Sequence, residues 1–245
     1  MLHTAEEILN KIGPLRDTEL PSVGGLTQRI IIPAATYAPW HQDQEFINTF
    51  NAIAANTVVD YYRCYELWQL ARQTAHLDGD ILEVGVYKGG TGCLLARVAS
   101  QGERMRHVFL CDTYAGIVKA GPQDAYFKGG ELADTSVALV KGLVDKLGLS
   151  NVSILQGIFP DETAAAVADK TFSFCHIDVD VYLSAQQVLD FVWPRLSVGG
   201  IVVFDDYGFS TCDGVTKLVN ERFGKMKAVT LYNLNGHAIM IKTGV

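Results

Sequence analysis

The sequence predicts an α/β protein: a parallel, doubly wound sheet closed by an antiparallel C-terminal hairpin and preceded by a helical extension. Three observations carry this. From Ile81 onward, short apolar runs alternate with stretches of helical spacing, the pattern of parallel strands joined by crossover helices. The run ILEVGVYKGGTG, Ile81 to Gly92, reads as a buried strand, a glycine-rich turn and a helix start. That combination lets a nucleotide-type ligand approach unpaired backbone N–H groups. Near the end, two strand-like runs at 228–232 and 237–241 are joined through Asn233-Leu234-Asn235-Gly236, and Asn-Gly is a hairpin signal.

Taken in order, residues 2–12 have the spacing of a short amphipathic helix that Gly13-Pro14 breaks. Pro21 to Pro39 is rich in Pro, Gly and Thr and is expected to be irregular. Helical spacing returns from Trp40 to Thr49 and, more strongly, over 57–76, where Tyr61, Tyr65 and Trp68 share a face. Residues 1–76 are therefore expected to form a helical extension, and 77–245 the α/β core. In the core, strands are expected at 81–86, 107–112, 152–156, 172–178 and 200–205. Helices are expected at 90–100, 134–147, 161–168, 183–193 and 213–223. A parallel sheet closed by a terminal hairpin is the Rossmann-like architecture of class I S-adenosylmethionine-dependent methyltransferases.

Composition excludes several classes. The net charge of −7 argues against a broad nucleic-acid-binding surface. No stretch is long and apolar enough to span a bilayer, and the N-terminus has no basic segment followed by an apolar one. The five cysteines are scattered, with no Cys-x-x-Cys; buried free thiols in a reducing, cytoplasmic compartment are the expectation. The glycine spacing, Glu83-x-Gly85-x-x-x-Gly89-Gly90, fails the dinucleotide fingerprint, and no Gly-Lys-Ser/Thr marks a P-loop. Glu83, two residues before Gly85, suits a ligand with a cationic end, such as the amino group of a methionine moiety.

The acids at strand ends supply the chemistry. In an open parallel sheet, ligands sit outside the carboxyl ends of the strands. HVFLCD ends at Asp112, where an acid can accept from the hydroxyls of a ribose; the alternative is a solvated strand end or a helix cap. FSFCHID ends at Asp178, followed by Asp180 and Tyr182, and GGIVVF is followed by Asp205-Asp206-Tyr207. Asp178, Asp205 and Asp206 would converge and repel one another unless a cation lies between them. Oxygen ligands alone favour a hard divalent ion such as Mg²⁺. The alternative for Asp205-Asp206 is a helix cap.

The stretch HIDVDVYLSAQQVLDFVWPRLSVGGIVVFDDYG resembles the macrocin O-methyltransferase (TylF-type) family. That family carries Asp-Gly-Asp-x-Tyr, then Tyr-Pro-x-Leu-Ser-x-Gly-Gly, then Asp-Asp-Tyr. Here these are Asp178 to Tyr182, Trp193 to Gly200, and Asp205-Asp206-Tyr207. EVGVYKGG and CDTYAG are similar to its glycine loop and second acidic motif. The similarity runs from about Asp80 to the end, and Val179 departs from the family's glycine.

The resemblance implies a Mg²⁺-dependent O-methyltransferase using S-adenosylmethionine, with metal on Asp178, Asp205 and Asp206. The cofactor-binding set is then Glu83, Gly85, Val86, Tyr87, Gly89, Gly90, Thr91, Asp112, Thr113, Gly157 and Asp178. Asp178, with Asp180 as second candidate, would take the proton of the acceptor hydroxyl. His176 reads as a satisfied core histidine, and His237 as a further candidate near the pocket. Ala115 to Asp134, with Tyr126, Phe127 and Lys128, reads as a lid that Tyr37, Trp40 and His41 could complete. The expected acceptor is a small-molecule glycoside in antibiotic biosynthesis or a glycan precursor, with no nucleic-acid or membrane partner, and the protein is expected to be a homo-oligomer. A catechol or phenol methyltransferase and a non-catalytic nucleotide-binding scaffold are the rival readings.

Overall fold

The computed structural model describes residues 4–33 and 35–244. Three short elements come first: α1 (Ala5–Ile12), then β1 (Glu19–Val23) and β2 (Leu26–Arg29). Thr4 and Glu7 close a reciprocal capping box on α1; residues 2 and 3 of the expected helix lie outside the described residues. β1 and β2 pair antiparallel around Gly24-Gly25, so the segment expected to be irregular contains a hairpin. Both glycines have positive φ, 56° and 82°, as a two-residue hairpin turn requires. The strands are mostly exposed, so they lack the apolar alternation that announces a strand.

Helices α2 (Gln44–Ile53) and α3 (Tyr61–Gln73) follow. Asp43 caps α2 through the Phe46 N–H and also accepts from Trp68 Nε1 and Arg72 Nη1 at 3.0 Å each, fastening α2 to α3. Asp60 caps α3 by accepting from the Tyr62 and Arg63 N–H groups. Phe46, Ile53, Cys64, Leu67 and Trp68 are fully buried in the same cluster as α4 (Gly90–Ala99) and one face of the sheet. Trp40, Tyr61 and Tyr65 pack edge-on within this cluster. The aromatic stripe is packing, and Trp40 is not part of a ligand box.

The core is a seven-stranded sheet of β3 (Asp80–Val84), β4 (Val108–Asp112), β5 (Val152–Gln156), β6 (Phe172–Ile177), β7 (Leu196–Phe204), β8 (Ala228–Tyr232) and β9 (Ala238–Lys242), in the order β5-β4-β3-β6-β7-β9-β8. The first five strands are parallel. β9 runs antiparallel between β7 and β8. Helices α5 (Val137–Lys146), α6 (Tyr182–Val192) and α7 (Asp213–Arg222) complete the alternation. The expected helix at 161–168 is only a 3₁₀ turn, Ala164–Val167. Among the described residues no helix is long and apolar enough to cross a membrane.

Register positions the site. Glu83 lies level with His176, and Val84 with Ile177; His176 in turn lies level with Val203, and Ile177 with Phe204. Gly85, Asp178 and Asp205 therefore leave the sheet at one height. The chain reverses its direction of winding between β3 and β6, the crevice where open α/β sheets bind ligands.

Candidate active site

A cavity opens there, with about 1070 Å³ of empty space including its mouth. Of the expected residues, Gly85, Tyr87, Asp112, Thr113, Gly157, Asp178, Asp180, Asp205 and Asp206 line it. Gly85 (φ 87°) cannot be replaced without disruption, because a Cβ would lie 1.6 Å from the Asp178 carbonyl oxygen. The Asp178 N–H donates to the Val84 carbonyl at 2.9 Å, which keeps the β3 and β6 ends side by side.

At one end of the cavity, Asp112 binds its own protein. Its Oδ2 accepts from the Val86 and Tyr87 N–H groups at 2.7 and 2.8 Å, and its Oδ1 from the Tyr114 N–H at 2.7 Å. A carboxylate has about four acceptor positions, so one remains for a ligand hydroxyl rather than the two the sequence suggested. Val86 and Thr91 are buried off the wall. Gly89 and Gly90 also lie off it; they make room for Val140 and for Asn56 and Thr57.

Glu83 is not on the cavity wall. It is fully buried, and its Oε1 lies 2.9 Å from His176 Nδ1. Its Oε2 has no partner and occupies space that a side chain on Gly92 would fill. The expectation that Glu83 meets a ligand's cationic end fails because its side chain turns toward α4, below the strand end.

At the other end, four carboxylates crowd together. Oxygens of Asp178, Asp205 and Asp206 lie within 4.8 Å of one another, and Asp180, Asp206 and Cys212 form a second such group. Burial, then the neighbouring Asp205 and Asp206, pushes the Asp178 carboxyl well up. Burial and Asp206 do the same to Asp180. Asp206 is pushed up to about 6 by burial and by Asp205. Asp205 behaves oppositely. Burial pulls it up, but hydrogen bonds from His176 and His237 and the charge of Arg63 hold it well below the carboxylate range. Asp180 also has φ 63°, a left-handed conformation held by its N–H donating to Asp206 Oδ2 at 2.9 Å. Such strain concentrates at functional sites.

The donor set fits a hard divalent cation. Its atoms are carboxylate oxygens, and their mutual repulsion is what a dication relieves. His176 and His237 do not join this set. Both are fully buried, and they bridge Glu83 and Glu66 to Asp205 Oδ1, His237 Nε2 at 2.8 Å and His176 Nε2 at 3.4 Å. His176 is thus a satisfied core histidine, and His237 braces Asp205 from behind.

Arg63 was not anticipated. It reaches the cavity from α3, donates from Nη1 to Asp205 Oδ2 and from Nε to Asp60 Oδ2 at 2.8 Å, and lies 4.8 Å from the Phe209 ring centroid. Among the described residues it is the one basic side chain on the wall. The stretch 115–134 is a pinned wall. Asp124 accepts from the Tyr182 N–H, Asp213 from the Ala125 N–H, and Ser184 Oγ donates to the Val118 carbonyl. It contributes Gly116, Ile117, Val118 and Leu132 to the cavity, while Tyr126 is exposed outside it. All five cysteines are buried and unpaired.

The family model described as Macrocin-O-methyltransferase (TylF) matches residues 42–231. An O-methyltransferase of Streptomyces olivaceus, acting at the 4' position of 8-demethyl-8-(2,3-dimethoxy-alpha-L-rhamnosyl)-tetracenomycin-C, is 28% identical, covering 69% of each chain. Mycinamicin III 3''-O-methyltransferase of Micromonospora griseorubida is 32% identical over 60% of this chain. The chain spans 62% of that relative's length and 63% of that of demethyldecarbamoylnovobiocin O-methyltransferase of Streptomyces niveus. The solved O-methyltransferase NovP superposes with a TM-score of 0.65 at 24% identity, covering 77% of this chain and 83% of its own. Calicheamicin methyltransferase CalS11 superposes at 0.63 and 18% identity, covering 84% and 94%. These two establish the class I methyltransferase fold.

Proposed function

The chain belongs to the macrocin O-methyltransferase (TylF) family, and from that premise we propose that it moves a methyl group from S-adenosylmethionine to a sugar hydroxyl of a natural-product glycoside, with Mg²⁺ at Asp178, Asp205 and Asp206. The observation that carries this reading is the convergence of those three carboxylates at one end of a cavity whose other end presents Asp112. The Streptomyces olivaceus relative acts on a rhamnosyl-bearing tetracenomycin, which supports the acceptor class.

The cofactor supplies an electrophilic methyl on sulfur. Mg²⁺ would hold adjacent acceptor oxygens and lower the pKa of the attacking hydroxyl. The protein's own residues do the rest. Asp112 is held by three backbone N–H groups and offers its remaining acceptor position to a ribose hydroxyl. Tyr87, Thr113 and Gly157 shape the cofactor end. Ile117, Val118, Leu132 and Phe159 give that space apolar walls that exclude water. Asp180 is the better candidate than Asp178 to take the acceptor's proton. It stands on the wall beside the triad without being one of its three members, so a cation held by the triad would leave its carboxylate free to accept a proton.

Methyl transfer from labelled S-adenosylmethionine, offered to glycosides and catechols with Mg²⁺ and with chelator, tests the reading. Chelator-sensitive labelling of a glycoside is the expected result. Labelling confined to catechols would replace the acceptor class. The buried free thiols support a reducing compartment such as the cytoplasm. Exposed Val229 and Leu231 on the edge strand β8 support a homo-oligomer, which light scattering would detect.

A further inference from the structure

We propose that Arg63 is a positioning residue that occupies the metal site's charge in the metal-free protein, and that it must hand Asp205 over for a divalent cation to bind fully. The inference rests on the metal reading above and goes beyond it, because Arg63 comes from the N-terminal helices and not from the acidic motifs.

The geometry supplies both positions of such a device. Asp205 is largely engaged: Oδ1 receives His237 and His176, and Oδ2, the oxygen a cation would share, receives Arg63 Nη1. A dication bound to the same carboxylate would face a guanidinium on the same oxygen, and like charges at that distance repel strongly at low dielectric. Arg63 has somewhere to go. Its Nε already holds Asp60 Oδ2 at 2.8 Å, and its guanidinium lies against the Phe209 ring. The Asp60 side chain is 41% exposed whereas that of Asp205 is 4% exposed. Pairing with Asp60 alone therefore keeps the Arg63 charge compensated in a wetter place, at small cost. Asp60 is itself fixed as the cap of α3, so the alternative partner does not move.

Among the described residues Arg63 is the one positive side chain on a wall carrying Asp178, Asp180, Asp205 and Asp206. It holds the cluster together in the apoprotein. When the cation arrives, Arg63 competes with it, so its presence lowers metal affinity while raising apoprotein stability. Phe209 lies in the loop after β7 that also lines the cavity, so the release of Arg63 would be felt along that wall.

The test is Mn²⁺ binding by electron paramagnetic resonance, with the metal-induced rise in Tm as a second readout, on wild type, Arg63→Gln, Arg63→Met and Arg63→Lys. Arg63→Gln and Arg63→Met should each bind Mn²⁺ about tenfold more tightly than wild type, one factor of ten being about 1.4 kcal/mol. Both should show a larger Mn²⁺-induced rise in Tm. Arg63→Lys, which restores the charge, should return toward wild-type affinity. A purely structural Arg63 would lower the apoprotein Tm and leave the Mn²⁺ Kd unchanged. That result in Arg63→Gln, the polar variant that serves should Arg63→Met fail to fold, overturns the proposal. Failure of Mn²⁺ to bind wild type and every variant overturns the metal reading, and this proposal with it. Binding to wild type with no tightening in Arg63→Gln overturns Arg63 alone.

Discussion

The two ends of the cavity are both built on aspartates at strand ends, and those aspartates have opposite surroundings. Asp112 accepts three backbone N–H groups from the loops around it. Asp178, Asp180 and Asp206 face mainly one another and are pushed toward protonation. The first end is complete without a ligand and offers a fixed acceptor to a neutral hydroxyl. The second is incomplete until positive charge arrives, and Arg63 supplies part of it. The same residue type thus serves recognition at one end and cation binding at the other, and the difference lies in what the backbone donates.

The largest expected effect comes from breaking the acidic end. Asp178→Asn should reduce methyl transfer about 10²-fold or more, the scale of losing a major electrostatic contribution. The same variant should raise the Tm of the chelated protein, because one mutually repelling carboxylate is gone. Rate assays and thermal melts on one preparation check both.

How much of this was legible in the sequence depended on whether a residue's role is fixed locally. Asp112, Asp178, Asp205 and Asp206 end apolar runs that can only be buried strands, so their placement at one sheet edge followed from topology. Glu83 carried an equally clear motif, but its depth in the strand turns it toward His176 and Gly92, and a motif does not report side-chain depth. Arg63 had no signal at all. It sits in a helix whose stripe reads as packing, and its partner is 142 positions away. The β1–β2 hairpin lies in a segment expected to be irregular, because exposed strands of five and four residues have no core face to give them a period.

Next in size is the brace behind Asp205. Glu83→Ala leaves His176 Nδ1 without its buried partner while Nε2 keeps Asp205, and should cost about 3 kcal/mol, the lower end of the cost of breaking a buried ion pair from one side, read from urea unfolding. S-adenosylmethionine affinity should change far less, which separates this residue from the cofactor wall. Asp112→Ala should weaken S-adenosylmethionine binding by about 1–3 kcal/mol, measured by calorimetry. An unchanged Kd would remove the ribose assignment and, with it, the contrast between the two ends.

The smallest expected effect is a pH dependence. Asp206 moves from an ordinary 3.8 to about 6 in the folded protein. A carboxyl raised in the fold binds its proton more tightly there than in the unfolded chain, so its contribution favours the fold at low pH. That contribution is lost as pH rises from about 4 to about 6. Mg²⁺ competes with that proton, so the Mg²⁺-induced rise in Tm should be greater at pH 7.5 than at pH 5. An equal rise at both would mean that the ion binds elsewhere.

The most direct test of the asymmetric cavity is anomalous diffraction from crystals grown with Mn²⁺ and S-adenosylhomocysteine. The account requires a single strong anomalous peak bonded to Asp178, Asp205 and Asp206, with the ribose against Asp112. A peak on Asp180, Asp206 and Cys212, or no peak at the acidic end, would contradict it.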